Sequence, residues 1–432
     1  MQTAIDSVEG YRVWDSRGRP TVEVEVRLRD GSLGIGIAPA GASRGTNEAS
    51  DLRDGGSAHG GFGVDTAVAH VNGLIRDTVL GLDGADQSLV DAALIEADGT
   101  PNKSRLGGNA VVATSMAVLK AAAAAAGQPV WRWLSAGAAV KMPLPMVQIF
   151  GGGAHAGRRT DIQDFMVMPV AAQSFDEAMV MCSDVYRQAG ELMLQRGSHF
   201  GVADEGGWWP DFDSNEKALE MLTRAIDGAG YGQGEALIAL DVAASEFGHG
   251  GRYKLALDGR EYDTAGWLEQ VTGWVERYPI MSIEDPVSED DGEGMLAFTR
   301  AWGQRLQVIG DDYLVTNAAR VTTAVQQGCC NAVLVKANQA GTISETLATV
   351  KAAKAAGWGT VVSARSGETE DTLIAHMAVG WSAGQLKVGS FSRSERMAKW
   401  NECLRIERSG QISAGPLWTG ALPVPRRLVA GS

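Results

Sequence analysis

The sequence predicts an α/β protein, a closed barrel of repeated βα units joined to a smaller α+β domain. Three observations predict it. The chain has 432 residues, too many for one small domain and enough to bury a large core without staples. Its pattern changes near residue 135, from strands followed by helices to short apolar runs that alternate with helical stretches. Many of those later runs end in a charged residue, as barrel strands do where they open on a site. An open doubly wound sheet is the alternative, but it would gather such residues at one switch point. The expected division is an α+β domain over 1–138, a TIM-like (β/α)8 barrel carrying the active site over 139–420, and a loose tail over 421–432.

The elements follow in order. Thr21 to Leu28 alternates, so Val22, Val24, Val26 and Leu28 share one strand face. Asp30-Gly31 then supplies hairpin turn chemistry. Gly31 to Gly63 is glycine-rich and reads as loops with one more short strand. Helical patterns cover Val64 to Leu80, Gln87 to Asp98 and Asn109 to Ala126, the last rich in alanine and stopped at Gly127-Gln128-Pro129. The barrel runs are Phe165 to Pro169, Ala236 to Asp241, Ile280 to Asp285, Gln307 to Asp312, Ala332 to Lys336, Thr360 to Ala364 and Gln385 to Gly389. Helices between them are expected over 174–196, 214–228, 266–278, 292–302, 317–327, 343–356 and 370–379.

Charge excludes some functions. With 38 basic and 52 acidic residues the net charge is −14, a poor match for the phosphates of a nucleic acid polymer. Met1 to Asp6 has no basic stretch followed by an apolar run, and Ala121 to Ala126 is far short of a membrane span. A cytoplasmic protein without a membrane partner is expected. The four cysteines, Cys182, Cys329, Cys330 and Cys403, form no CxxC and no even framework, so they read as reduced structural thiols.

Three runs end in acids: Asp241, Glu284-Asp285 and Asp311-Asp312. A buried strand rarely tolerates a terminal carboxylate without a partner. One such acid reads most simply as a helix cap or turn. Three in succession favour a hard divalent cation, with Mg²⁺ the natural candidate. Two runs end in lysine, Lys336 and Lys387. Burial beside cations is expected to depress the ammonium pKa, which would suit Lys336 as a general base. The competing reading is a lysine snorkelling from a strand end to solvent.

Other signals are weaker singly. Glu205, in Asp204-Glu205-Gly206-Gly207, suits a general acid or an ordinary acidic turn. Arg365-Ser366 suits a phosphate grip, or Ser366 caps the next helix. His155 lies in a glycine-rich loop and alone reads as solvated. Trp208 and Trp209 read as core, or as walls of a pocket beside that acidic turn. Cations, an acid, a base and a phosphate grip together suit abstraction of a proton α to a carboxylate, followed by elimination, with the cations stabilising the enolate.

These residues resemble the enolase (phosphopyruvate hydratase) family over nearly the whole chain to about residue 407. The segments that carry the resemblance are Asp15-Ser16-Arg17-Gly18, Asn102-Lys103-Ser104, Asp204-Glu205-Gly206-Gly207, Ser282-Ile283-Glu284-Asp285-Pro286, Gly310-Asp311-Asp312, Asn338-Gln339-Ala340-Gly341-Thr342 and Arg365 to Asp371. The general pattern of a lysine base with Mg²⁺ in this superfamily is a known one. The resemblance implies a barrel with one antiparallel strand, two Mg²⁺ sites, and a homodimer or an assembly of dimers. It implies Glu205, Lys336 and Asp164 as catalytic residues. Asp241, Glu284 and Asp311 become ligands of the first Mg²⁺, and Ser43 helps hold the second. His155, Gln163, Arg365, Ser366, Lys387, Arg44 and Ala364 line the substrate, with Lys387 on its carboxylate and Arg365 and Ser366 on its phosphate.

The chain departs from the family within the site. Ala364 stands where the family has histidine, and Asp164 where it has glutamate. The family's Ser-Gly-Ala-Ser-Thr-Gly loop reads Ala40-Gly41-Ala42-Ser43-Arg44-Gly45, and its Asn-Gly-Gly reads Gly151-Gly152-Gly153. Lost imidazole volume and a gained guanidinium imply a larger, more anionic substrate. Within the family this is most similar to the carboxyphosphonoenolpyruvate synthases of phosphonate natural-product biosynthesis. The expected partner is then a small phospho- or phosphono-carboxylate, including a nucleotide-activated phosphonoformate. An ordinary enolase acting on 2-phosphoglycerate, and a non-catalytic enolase-like binding protein, are the alternatives.

Overall fold

The structure is a computed structural model that describes residues 2–42, 45–412 and 415–418. The tail expected over 421–432 lies outside the described residues, as do Ser43 and Arg44.

The alternating segment does build a sheet. Strands β1 (Ile5–Trp14), β2 (Pro20–Leu28) and β3 (Leu33–Ile37) pair antiparallel in that order. Val22, Val24, Val26 and Leu28 are all buried, as their shared face requires. β1 escapes a reading by periodicity because charged residues interrupt it. Helices α1 (Asp65–His70), α2 (Arg76–Val79), α3 (Gln87–Asp98), α4 (Gly108–Ala125) and α5 (Val130–Ser135) follow. The pattern over Val64 to Leu80 is thus not one helix. It breaks over Val71–Ile75, where Gly73 leaves the helical region.

Helix α4 packs on the sheet through its small residues. A Cβ at Gly34 would lie 2.0 Å from the Ala117 carbonyl oxygen, and one at Gly36 would lie 2.3 Å from that of Ala113. The contact between strand and helix therefore depends on missing side chains. Among the described residues α4 is the one helix long and apolar enough to cross a membrane, but 83% of it is buried inside the protein.

The second unit is a closed eight-stranded barrel, which excludes the open sheet. Its strands are β4 (Leu144–Gly151), β5 (Asp164–Met168) and β6 (Leu237–Asp241), then, after the small sheet β7 (Gly248–His249), β8 (Arg252–Leu255) and β9 (Arg260–Asp263), β10 (Ile280–Glu284), β11 (Gln307–Gly310), β12 (Ala332–Val335), β13 (Gly359–Ser363) and β14 (Gln385–Gly389). Their order round the barrel is β10-β11-β12-β13-β14-β4-β5-β6. β5 runs antiparallel to both neighbours and all other barrel pairs are parallel. This is the single reversed strand that the resemblance implies. β4 is missing from the apolar runs because Pro143, Pro145 and Gln148 break the pattern.

The outer helices are α6 (Phe175–Gln195), α7 (Asn215–Gly228), α8 (Thr264–Arg277), α9 (Gly292–Trp302), α10 (Ala318–Gln327), α11 (Ala337–Ala340), α12 (Ile343–Ala355), α13 (Leu373–Gly380) and α14 (Ser394–Arg408). Several start on a side chain that caps a backbone N–H, as Ser174 does for α6 and Asp291 for α9. Ser366 caps nothing, since the next helix begins only at Leu373. α14 is missed because it is charged throughout, yet it buries Arg396, Lys399 and Trp400. All four cysteines are buried and free.

Gly36→Ala should destabilise the protein by about 1–3 kcal/mol, because the new methyl meets helix backbone rather than a movable side chain. Urea denaturation measures the cost, and a change below half a kilocalorie would show that α4 can shift away.

Candidate active site

The charged strand ends meet at one mouth of the barrel. Asp241 and Glu284 close β6 and β10, Asp311 follows β11, Lys336 follows β12, Ser363 leads from β13 to Arg365, and Lys387 lies on β14. A cleft of about 320 Å³ opens there. Gly41 and Ala42 from the first unit line it, with His155, Gln163, Asp164 and Glu205 on one stretch of wall. Asp241, Lys336, Lys387 and the segment from Ser363 to Ser366 complete it. Glu284 and Asp311 join the cleft through the two lysines.

Lys387 Nζ lies 2.6 Å from Asp241 Oδ2, 3.0 Å from Glu284 Oε2 and 3.3 Å from Asp164 Oδ2. Burial alone would lower its pKa, but these three anions raise it well above the usual lysine value. Lys336 Nζ lies 2.5 Å from Asp311 Oδ2. Here the sequence expectation is corrected. Burial, Arg365 and Lys387 do press the Lys336 pKa down, yet Asp311 and Glu284 outweigh them and it rises. Neither lysine reaches out to solvent as a snorkelling residue would.

The carboxylates divide. Burial, then Asp241, push the Glu284 carboxyl well above its ordinary range, against the pull of Lys387. Burial would raise Asp311 too, but Lys336, Arg365 and Lys387 hold it below. Asp285, with a left-handed φ of 41°, accepts the backbone N–H groups of Asp311 and Asp312 at 2.9 and 2.7 Å. Burial and Asp311 raise its pKa to about 8. The buried acids Asp164, Asp241, Glu284, Asp285, Asp311 and Asp312 outnumber the buried lysines set among them. The donors are all oxygen, and a hard dication such as Mg²⁺ fits Asp241, Glu284 and Asp311 on those grounds.

His155 is not solvated. It is buried, with Nδ1 3.0 Å from Asp164 Oδ1 and Nε2 3.7 Å from Glu205 Oε1. Burial lowers its pKa, but Glu205 and Asp164 prevail and raise it to about 9. Gln148 donates to the same oxygen of Asp164. Gln163 Oε1 makes no hydrogen bond among the described residues, whereas Asp164 Oδ2 has the Lys387 ammonium 3.3 Å away. Gln163 Nε2 is spent on Asp241 Oδ2 at 3.0 Å. Ala364 contributes only a methyl to the cleft.

Arg365 is gripped bidentately by Glu48 at 2.9 and 3.2 Å, and Ser366 Oγ accepts from Arg17 at 2.8 Å. Arg396, wholly buried, donates to the carbonyls of Arg365, Ser366 and Val388 and fixes that turn. Trp208 does not line the cleft. It stacks on Tyr186 with centroids 4.8 Å apart and donates to the Tyr186 carbonyl. Sequence reasoning missed Glu48, Gln148, Gln339 and Arg396. Gln339 lies within a segment that carries the resemblance, whereas Glu48 and Arg396 look like ordinary surface charges.

A barrel with one reversed strand, a separate α+β unit reaching its mouth, and acids and lysines on its strand ends define a class, the enolase-type barrel proteins. Comparison with known proteins agrees. Residues 5–134 match the family described as "Enolase, N-terminal domain" and residues 139–421 the family described as "Enolase, C-terminal TIM barrel domain". The chain is 49% identical over 414 residues to "Enolase 1" of Desulfitobacterium hafniense (strain Y51), covering 95% of each. The chain belongs to the enolase family.

His155 gives a pH-dependent prediction. Its pKa rises from 6.5 to about 9 on folding, so the folded state binds the proton more tightly. Its contribution is fully present below pH 6.5 and is lost as pH rises through 9. His155→Gln should cost up to ~3 kcal/mol near pH 6 and progressively less toward pH 9.5. Denaturation across that range tests it; a cost that does not vary with pH would show that the ring is neutral.

Proposed function

We propose that this chain is an ordinary enolase, interconverting 2-phosphoglycerate with phosphoenolpyruvate and water in a Mg²⁺-dependent reaction. The carrying observation is that Lys336, Glu205, the three acids and the Arg365-Ser366 pair line or adjoin one cleft. The likeness to Enolase 1 supports the same reading. Neither family match nor relative supports a carboxyphosphonoenolpyruvate synthase or a nucleotide-activated donor. Arg44, on which part of that expectation rested, lies outside the described residues.

The chemistry follows from the residues. Arg365, with Ser366 beside it, binds the phosphate, and a guanidinium suits it because its fork matches paired oxygens. Lys387 faces the carboxylate. Mg²⁺ held by Asp241, Glu284 and Asp311, with Ser43 on a second ion, would supply the positive charge that the enolate dianion requires. Lys336 takes the proton from C2. It must first lose its own, and it is the charge of Asp311 that now keeps it. A cation held by Asp311 would weaken that hold and let burial lower the lysine pKa. Glu205 delivers a proton to the hydroxyl on C3. The C3–O bond breaks, water leaves, and the C2–H electron pair becomes the C2=C3 double bond. His155 and Asp164, which adjoin Glu205, surround the departing oxygen. The reading includes domains over 1–138 and 139–420, assembly as a homodimer or a set of dimers, and a place in the cytoplasm, all as the family resemblance suggests.

Phosphorus NMR of the protein with Mg²⁺ and 2-phosphoglycerate should show an equilibrium mixture with phosphoenolpyruvate. No conversion would sink the proposal and return the changed residues to prominence. Lys336→Ala should reduce turnover by about 10²–10⁴-fold while Mg²⁺ still binds. An active variant would remove Lys336 from the role of base.

A further inference from the structure

Glu48 comes from the first unit yet ends among barrel residues. It is 7% exposed, and Arg365, which it grips, is 4% exposed. Its Oε2 accepts from one terminal nitrogen of Arg365 at 2.9 Å and its Oε1 from the other at 3.2 Å. The same Oε1 accepts from Gly45 N at 3.0 Å and from Gln339 Nε2 at 3.2 Å. Gln339 Nε2 also donates to Asp311 Oδ1 at 2.9 Å. The Gln339 side-chain oxygen accepts from Thr316 Oγ1 at 2.6 Å, and that hydroxyl accepts the Lys336 backbone N–H at 2.9 Å. The Gln339 carbonyl accepts the Ala49 N–H at 2.8 Å, tying the same loop down again. One carboxylate thus touches the anion grip directly and the metal ligand through a single amide.

A bidentate pair fixes both the distance and the plane of a guanidinium. Arg365 has other anions nearby, Asp311 and Asp312, which also favour its charge. One terminal nitrogen of Arg365 also donates to Asn338 Oδ1 at 3.1 Å. Were the Glu48 charge removed, Asp311 and Asp312 would draw the guanidinium more strongly, and Asp311 would give to Arg365 charge that a cation needs. We propose that Glu48 is a positioning residue that sets the anion grip and the metal ligand together, holding Arg365 for the substrate's phosphate while keeping it off Asp311. This rests on the enolase reading of the site for its roles, but its test needs no turnover.

Calorimetry with Mg²⁺ alone and with inorganic phosphate at saturating Mg²⁺ separates the effects. Glu48→Gln keeps the shape and removes the charge. It should weaken Mg²⁺ binding about 10–100-fold, the range for groups that orient metal ligands. It should weaken phosphate binding at least about tenfold, as expected for loss of a charge-assisted pair. Glu48→Asp, which restores the charge, should recover most of the Mg²⁺ affinity. A folded Glu48→Gln protein with both affinities unchanged would make Glu48 a mere strut between the units and overturn the proposal. Gln339→Met keeps the Glu48–Arg365 pair and removes the amide that joins Glu48 to Asp311, along with its bond from Thr316. It should weaken Mg²⁺ and leave phosphate as it was, and it decides the matter if Glu48→Gln does not fold. Unchanged Mg²⁺ affinity in that variant would break the proposed link. Since binding is read directly, failure to dehydrate 2-phosphoglycerate would count against the enolase reading without touching this result.

Discussion

Charge balance at the barrel mouth is the constraint on which the structure turns. Asp164, Asp241, Glu284 and Asp311 are buried near two buried lysines. No such group is stable alone in a dry interior. Each is held because its opposite lies within about a hydrogen bond, as Lys387 lies between Asp241 and Glu284. The barrel supplies this by geometry. Parallel strands end together, so residues far apart in sequence converge without any loop having to carry them. The same arrangement is poised for exchange. The carboxylates hold the lysines protonated, and a cation that claimed the carboxylates would loosen those protons.

The first unit completes the site as well as packing beside it. Glu48 and Arg17 reach Arg365 and Ser366, and Gly41 and Ala42 wall the cleft. Their positions depend on the sheet from which that chain segment emerges. The sheet depends in turn on Gly34 and Gly36 admitting α4. A core contact without chemistry of its own thus helps locate the side chains that hold Arg365 and Ser366 at the cleft.

Much of this was legible in the sequence, for physical reasons. Strands buried on both faces have continuous apolar runs, so seven barrel strands and the acids and lysines at their ends could be read directly. β4 could not, because proline and glutamine interrupt it. α14 hid behind charges that turn out to be buried against carbonyl groups. The chemical identity of Lys336 was readable but its protonation was not, because the deciding partner, Asp311, is 25 residues away. His155 was misjudged by composition for the same reason. A glycine-rich loop says nothing about two acids that fold brings to its ring. The substrate expectation leaned on Ala364 and Arg44 as departures, while the whole-chain likeness weighs toward the ordinary reaction.

The reversed strand β5 has a consequence for how the protein assembles itself. Because β5 runs against its neighbours, its first residue, Asp164, arrives at the mouth alongside the last residues of β4 and β6. Gly151 faces Asp164 across a hairpin of local sequence, and His155 lies in the loop between them. That corner can form early, since closing a short loop is fast and costs little entropy. The other acids and lysines, from Asp241 to Lys387, are spread from β6 to β14 and meet only when the barrel shuts. One half of the site is therefore a local product of folding and the other a product of closure.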